Sequence, residues 1–203
     1  MNHEPFFRIT TLLLYALFHS IRFFYALRVT KSGGKIFSGA DDIKRKGFFH
    51  AALGMAMEIV LPAGIILYVA DPWWARLLSL SFPFWLRISG GVLSVACIIL
   101  LLYVHQALGR HWSTSLRLRD EHRLITAGPY ARVRHPMYTA LIGNMLGFAL
   151  LSANLFVLVP RLVQMLLLCI RIPREEAMMI EEFGDDYRTY MRRTGRLLPR
   201  STA

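Results

Sequence analysis

Residues 136 to 170 form a run of 35 with a single charge, Arg161. One straight helix of that length would measure about 52 Å at 1.5 Å per residue. The hydrocarbon core of a bilayer is only about 30 Å thick. The run is too long for one crossing and too apolar for a loop. A break at Ser152-Ala153-Asn154 gives two arms of roughly 17 residues, each about 25 Å long. The segment is therefore read as a helical hairpin. It returns Arg171–Glu176 to the side that holds Arg134-His135 and leaves a tip without charge.

The rest of the chain agrees with a membrane setting. Of its 203 residues 55% are apolar, and Ile88–Gly109 is a second uncharged run. A soluble domain needs more polar surface. Three earlier spans are expected at about 9–27, 49–70 and 84–108, so the fold class is an all-α integral membrane protein of five transmembrane helices. Gly90-Gly91 in the third span suits close helix contact, and Trp73-Trp74 suits an interfacial belt. The opening Met-Asn-His-Glu lacks the basic start of a cleavable leader, so the first span is expected to be retained. The whole is read as a single membrane domain, 1–107 supplying three spans and 108–203 a catalytic half. A tail helix is expected over about 174–193, weakened by Gly184.

Net charge is +11, and its distribution argues against nucleic acid. Six Lys and Arg lie in 28–48, six in 109–135 and seven in 171–203. With a hairpin all three segments share one side, which the positive-inside rule makes cytoplasmic. Such a face suits anionic lipid. Cys97 and Cys169 are read as small core residues, and no Cys/His spacing predicts a metal.

Two polar stretches carry the chemistry. In Gly128-Pro-Tyr-Ala-Arg-Val-Arg-His-Pro136, Gly-Pro makes a turn and Pro136 starts a helix. Arg134 and His135 then stand at its amino terminus, where an anion is favoured. The plainer reading is a positive anchor at a span end. Glu175-Glu176 follows Arg171 and Arg174. Paired acids beside an anionic leaflet call for a cationic partner: either Arg134 or His135, in a structural role, or a ligand's ammonium or sugar hydroxyls. Glu58 at mid-span is costly unless paired, with Arg22, Arg87 or Arg161 as partners. Arg87 is expected to snorkel at the outer end of its span.

Taken together, Leu108-Gly-Arg-His-Trp112, His122-x-Leu124, Gly128-Pro-Tyr130, Arg134-His-Pro-x-Tyr138, Arg171-x-x-x-Glu-Glu176, Phe183-Gly-x-x-Tyr187, Tyr190, Thr194 and Pro199 resemble the catalytic half of the isoprenylcysteine carboxyl methyltransferase family. That family sits in a wider group with phospholipid methyltransferases. The resemblance implies S-adenosylmethionine in a cytoplasmic cofactor pocket made by 109–135, the fourth span and the tail. It places His122, Leu124, Gly128, Tyr130, Arg134, His135, Pro136, Tyr138, Glu175 and Glu176 around that cofactor. A lipid-like substrate would enter from the bilayer. The catalytic candidates are Arg171, Arg174 and Glu175, one of the two arginines orienting the acceptor. The short chain resembles prokaryotic members, which implies a bacterial or archaeal plasma membrane.

Methyl transfer from a sulfonium to a carboxylate neutralises charge, so a dry site favours it. Such an acceptor needs no general base, only orientation. A phospholipid amine or a thiol is the alternative acceptor. Membrane sterol reductases show Arg-His-x-Asn-Tyr where this chain has Arg134-His-Pro-Met-Tyr138. A transporter is disfavoured by the absence of an inverted repeat.

Overall fold

A computed structural model describes residues 3–31, 48–108 and 124–200. Within them the chain forms five α-helices: α1 (Glu4–Lys31), α2 (Phe48–Ala70), α3 (Phe84–Leu108), α4 (Pro136–Ser152) and α5 (Leu155–Arg193). Short 3-10 turns occupy Trp73–Leu78 and Gly128–Ala131. Four of the helices, all but α4, are long and apolar enough to cross a membrane. α4, at 17 residues, is about 25 Å long.

The hairpin breaks where length demanded it. Ala153 takes a left-handed conformation, φ 48°, after the last turn of α4. Asn154 then caps α5, its side chain accepting from the Phe156 N–H at 2.9 Å. A helix ending leaves carbonyls unpaired, which is expensive at membrane depth. Arg87 supplies the missing donors. Its Nε donates to the Leu151 carbonyl at 3.0 Å and its Nη2 to that of Ser152 at 3.3 Å. The same guanidinium pairs with the Glu4 carboxylate, bonds the Tyr68 hydroxyl at 3.0 Å and lies 3.7 Å from the Phe7 ring centre. Arg87 is thus a buried tie joining α1, α2 and α3 to the hairpin tip, and the snorkelling expected of it is corrected.

The interior is built on close approach of α3 and α4. A Cβ on Gly90 would lie 2.7 Å from the Gly147 carbonyl oxygen and 2.7 Å from the Leu151 nitrogen. Glycine is needed at that crossing because backbone meets backbone. Leu101, Val104, Phe148 and Val157 are almost fully enclosed. Phe6, Ile9, Leu13, Met55, Ile59, Ile66 and Ile99 stay exposed, as suits a lipid-facing surface. Cys97 is buried, but Cys169 is exposed on α5 and so is not a core residue.

α5 continues past the apolar arm as one 39-residue element. Pro173 lies inside it, and Gly184 breaks its regularity at φ 54°. The tail helix expected over 174–193 is therefore the continuation of the hairpin's second arm. Beyond it the chain pairs with the segment before α4. Arg134 N–H donates to the Gly195 carbonyl at 2.8 Å, His135 N–H to that of Arg196 at 3.1 Å, and Gly195 N–H to that of Arg132 at 3.1 Å.

Candidate active site

The two polar stretches meet at one end of the hairpin, the motif end. Pro136 opens α4 with His135 in the cap position. This sets Arg134, His135 and Tyr138 facing the start of the polar part of α5. Glu176 is buried, and both its oxygens are taken. Arg134 Nε donates to Oε1 at 2.9 Å, and Arg196 Nη2 to Oε2 at 2.5 Å. Arg134 also donates to the Met191 carbonyl at 3.0 Å and to that of Thr194. Burial alone would raise the Glu176 pKa. The hydrogen bonds and charges of Arg196 and Arg134 outweigh it and hold the carboxyl below its ordinary range. The anion at the start of α4 is therefore a carboxylate of the protein itself. The main-chain N–H groups of Arg134 and His135, expected to favour an anion, are used by the tail.

Glu175 is arranged differently. Its Oε1 accepts from the Tyr138 hydroxyl at 2.5 Å and from Arg171 Nε at 2.7 Å. Its Oε2 lies 3.9 Å from His135 Nδ1. His135 stands between the two acids, its Nε2 3.4 Å from Glu176 Oε1. Its ring lies parallel to that of Tyr138, centres 5.6 Å apart. Burial lowers the His135 pKa. The two neighbouring carboxylates oppose this without reversing it. The imidazole is thus held neutral in the protein interior.

Gly128 takes φ +62° in the turn, a conformation that glycine adopts at no steric cost. The Tyr130 carbonyl accepts from the Tyr190 hydroxyl at 2.6 Å. Burial also raises the Tyr130 phenol, so it stays protonated. Leu124 is half-buried, Pro136 is buried and Arg174 is exposed. His122 lies outside the described residues. Arg196 was not singled out from the sequence. Its role comes from the pairing of the tail with 132–135, which no local motif announces.

Three comparisons bear on this arrangement. Residues 91–181 match the profile described as the isoprenylcysteine carboxyl methyltransferase family. Over 90 residues the chain is 37% identical to the Protein-S-isoprenylcysteine O-methyltransferase of Schizosaccharomyces pombe, covering 44% of this chain and 38% of that protein. The structure also resembles that described as the eukaryotic intramembrane Ras methyltransferase ICMT, without a monobody. The TM-score is 0.57 at 22% identity, covering 70% of this chain and 51% of the other. That likeness is one of fold. The chain spans between a third and about half the length of these relatives.

Proposed function

We propose that this protein is an S-adenosylmethionine-dependent methyltransferase of the membrane, acting on the carboxylate of an isoprenylcysteine-type lipid. The observation that carries the reading is the Tyr138–Glu175–Arg171 chain of hydrogen bonds, set beside the closed Arg134–Glu176–Arg196 frame. The donor set fits such a cofactor. Glu175 offers an oxygen with no close cationic partner at the described residues, and stacked His135 and Tyr138 rings adjoin it. When bound, the cofactor supplies an electrophilic methyl group on a sulfonium. Leu124, Gly128 and Tyr130 wall the pocket in this reading, with Pro136 fixing the start of α4 and His122 contributing from outside the described residues.

Arg171 is the residue that orients the acceptor. It is half-buried and held at 2.7 Å by Glu175, whereas Arg174 is exposed. A guanidinium presents a planar fork matched to a carboxylate. This favours a carboxylate acceptor over an amine, whose own proton would meet a like charge. Glu176 sets the frame, and Glu175 faces the reacting groups. Excluding water strengthens every one of these interactions. In this reading the motif end faces the cytoplasm, the side to which the positive-inside rule assigns the Lys- and Arg-rich segments of the sequence. α4 serves as a fifth, short span, and the whole chain is one membrane domain.

The test is direct. Purified protein is incubated with isotopically labelled cofactor and, separately, N-acetyl-S-farnesylcysteine, phosphatidylethanolamine or a small alkyl thiol. Mass spectrometry should find a base-labile methyl ester of the farnesylcysteine alone. Methylation of the amine or the thiol with none of the carboxylate overturns the acceptor. Affinity for NADPH with none for S-adenosylmethionine overturns the class.

A further inference from the structure

A second polar cluster lies deep in the spans, away from the motif end. Arg161 is buried to 3% exposure, six residues into α5. That puts it about 9 Å from the hairpin tip and about 15 Å from Arg171 along the helix. Its Nη1 donates to Gln164 at 3.2 Å. Its guanidinium carbon lies 4.9 Å from the Phe148 ring centre and 5.9 Å from that of Tyr15. Nε and Nη2, both enclosed, have no hydrogen-bond partner. Those two atoms form the side-on edge of a guanidinium, the edge that binds a carboxylate with two parallel bonds. Leaving donors unpaired in the hydrocarbon region costs several kcal/mol per group.

Charge points the same way. Arg22 and Glu58 lie close enough to Arg161 to act on it electrostatically. Counted together, Arg22, Arg161 and Glu58 carry one surplus positive charge within the spans. His19 does not offset it, since an imidazole is neutral or cationic; its Nδ1 meets the Tyr15 carbonyl of its own helix at 2.9 Å. Glu58 is exposed on α2, between the lipid-facing Met55 and Ile59. Glu58 thus marks the bilayer-facing side of the group, while the Arg161 edge lies enclosed behind it.

We infer that the Nε–Nη2 edge of Arg161, with Arg22 and Glu58 beside it, binds the carboxylate of a single-chain amphiphile that enters from the bilayer. One more negative charge balances the cluster: Glu58 answers Arg22, and the ligand answers Arg161. A monoanion fits the surplus of one, and a carboxylate fits the two-donor edge. A fatty acid and a prenylcysteine both present that chemistry. The site is separate from the motif end and stands whether or not methyl transfer occurs there.

The full chain in neutral detergent is followed by thermal unfolding. Oleic acid should raise the melting temperature, and oleyl alcohol should not. In Arg161→Lys, which keeps the charge and loses the fork, the concentration for half the effect should rise about tenfold, as for one lost charge-assisted bond. Competition by N-acetyl-S-farnesylcysteine, with its methyl ester inert, assigns the site to prenylcysteines as well; no competition assigns it to fatty acids. Equal responses to acid and alcohol, or an unchanged response in Arg161→Lys, overturn the inference. Should that variant fail to fold, the wild type is photolabelled with a fatty acid bearing a diazirine next to its carboxylate. Label on peptides containing Tyr15–Arg22 or Arg161–Gln164 supports the site. Label confined to the motif end, or none, overturns it.

Discussion

Glu175 and Glu176 are neighbours in sequence with opposite surroundings. Glu176 has both oxygens satisfied by arginines inside the protein; Glu175 shares one oxygen between Tyr138 and Arg171 and leaves the other without a close cation. Glu176→Gln strands a buried guanidinium and should cost about 3–5 kcal/mol of stability. Glu175→Gln should unfold within a few degrees of wild type and lose methyl transfer instead. Thermal midpoints and turnover of both variants check this; a stable, inactive Glu176→Gln would reverse the assignment. His135 adds a pH dependence. Its folded pKa lies below the ordinary value of about 6.5, so between the two the unfolded chain binds more protons. Its contribution is fully present above that ordinary value and is lost as pH falls through the folded one. Glu176, also depressed, acts lower, below the usual carboxylate range. Melting temperature should therefore fall as pH drops below about 6.5, and His135→Gln should flatten that first decline. An unchanged slope in the variant would remove His135 as its source.

At the scale of elements, the α3–α4 crossing and the hairpin tip set the geometry. A Cβ on Gly90 would meet backbone atoms of α4 at 2.7 Å, whereas one on its neighbour Gly91 would meet only the flexible end of Leu151, at 3.4 Å. Backbone does not yield as a side-chain methyl does. Gly90→Ala should cost about 1–3 kcal/mol, and Gly91→Ala should be nearly neutral. Unfolding of the two in the same detergent separates them; equal effects would mean that the helices slide apart without penalty. Much of the element plan was legible beforehand. The break at 152–154 followed from length, and Gly90-Gly91 from residue size. The role of Arg87 was not, because its partners Glu4, Tyr68, Leu151 and Ser152 lie on three separate stretches of chain.

For the whole molecule, the hairpin puts the motif stretches at one end and the tip, with Trp73–Leu78, at the other. Ser79 pairs with Asn154, and the Leu80 N–H with the Ala153 carbonyl. In a variant lacking Cys97 and Cys169, single cysteines at Arg132→Cys and Arg174→Cys should react with a membrane-impermeant reagent from the same face. Leu77→Cys should react from the other. Labelling of 132 and 174 from opposite faces would rule out the hairpin topology.

Periodicity, length and charge placement were enough to read helices, their approximate limits and the side on which the polar stretches gather, because those follow from the bilayer's thickness and dielectric. Arg134, His135, Tyr138, Arg171, Glu175 and Glu176 were also legible, as a motif, whereas Arg196 was not. Which member does what was not. Whether Arg134 meets a ligand or Glu176, and whether the N–H groups before α4 stay open, are decided by the tail, through Thr194, Gly195 and Arg196, folding back on 132–135. The same holds at mid-membrane, where Arg161 and Glu58, a hundred residues apart, share a cluster without a hydrogen bond between them. Hydrogen bonding depends on distances of a few tenths of an ångström between residues far apart in the chain, and only packing sets those distances.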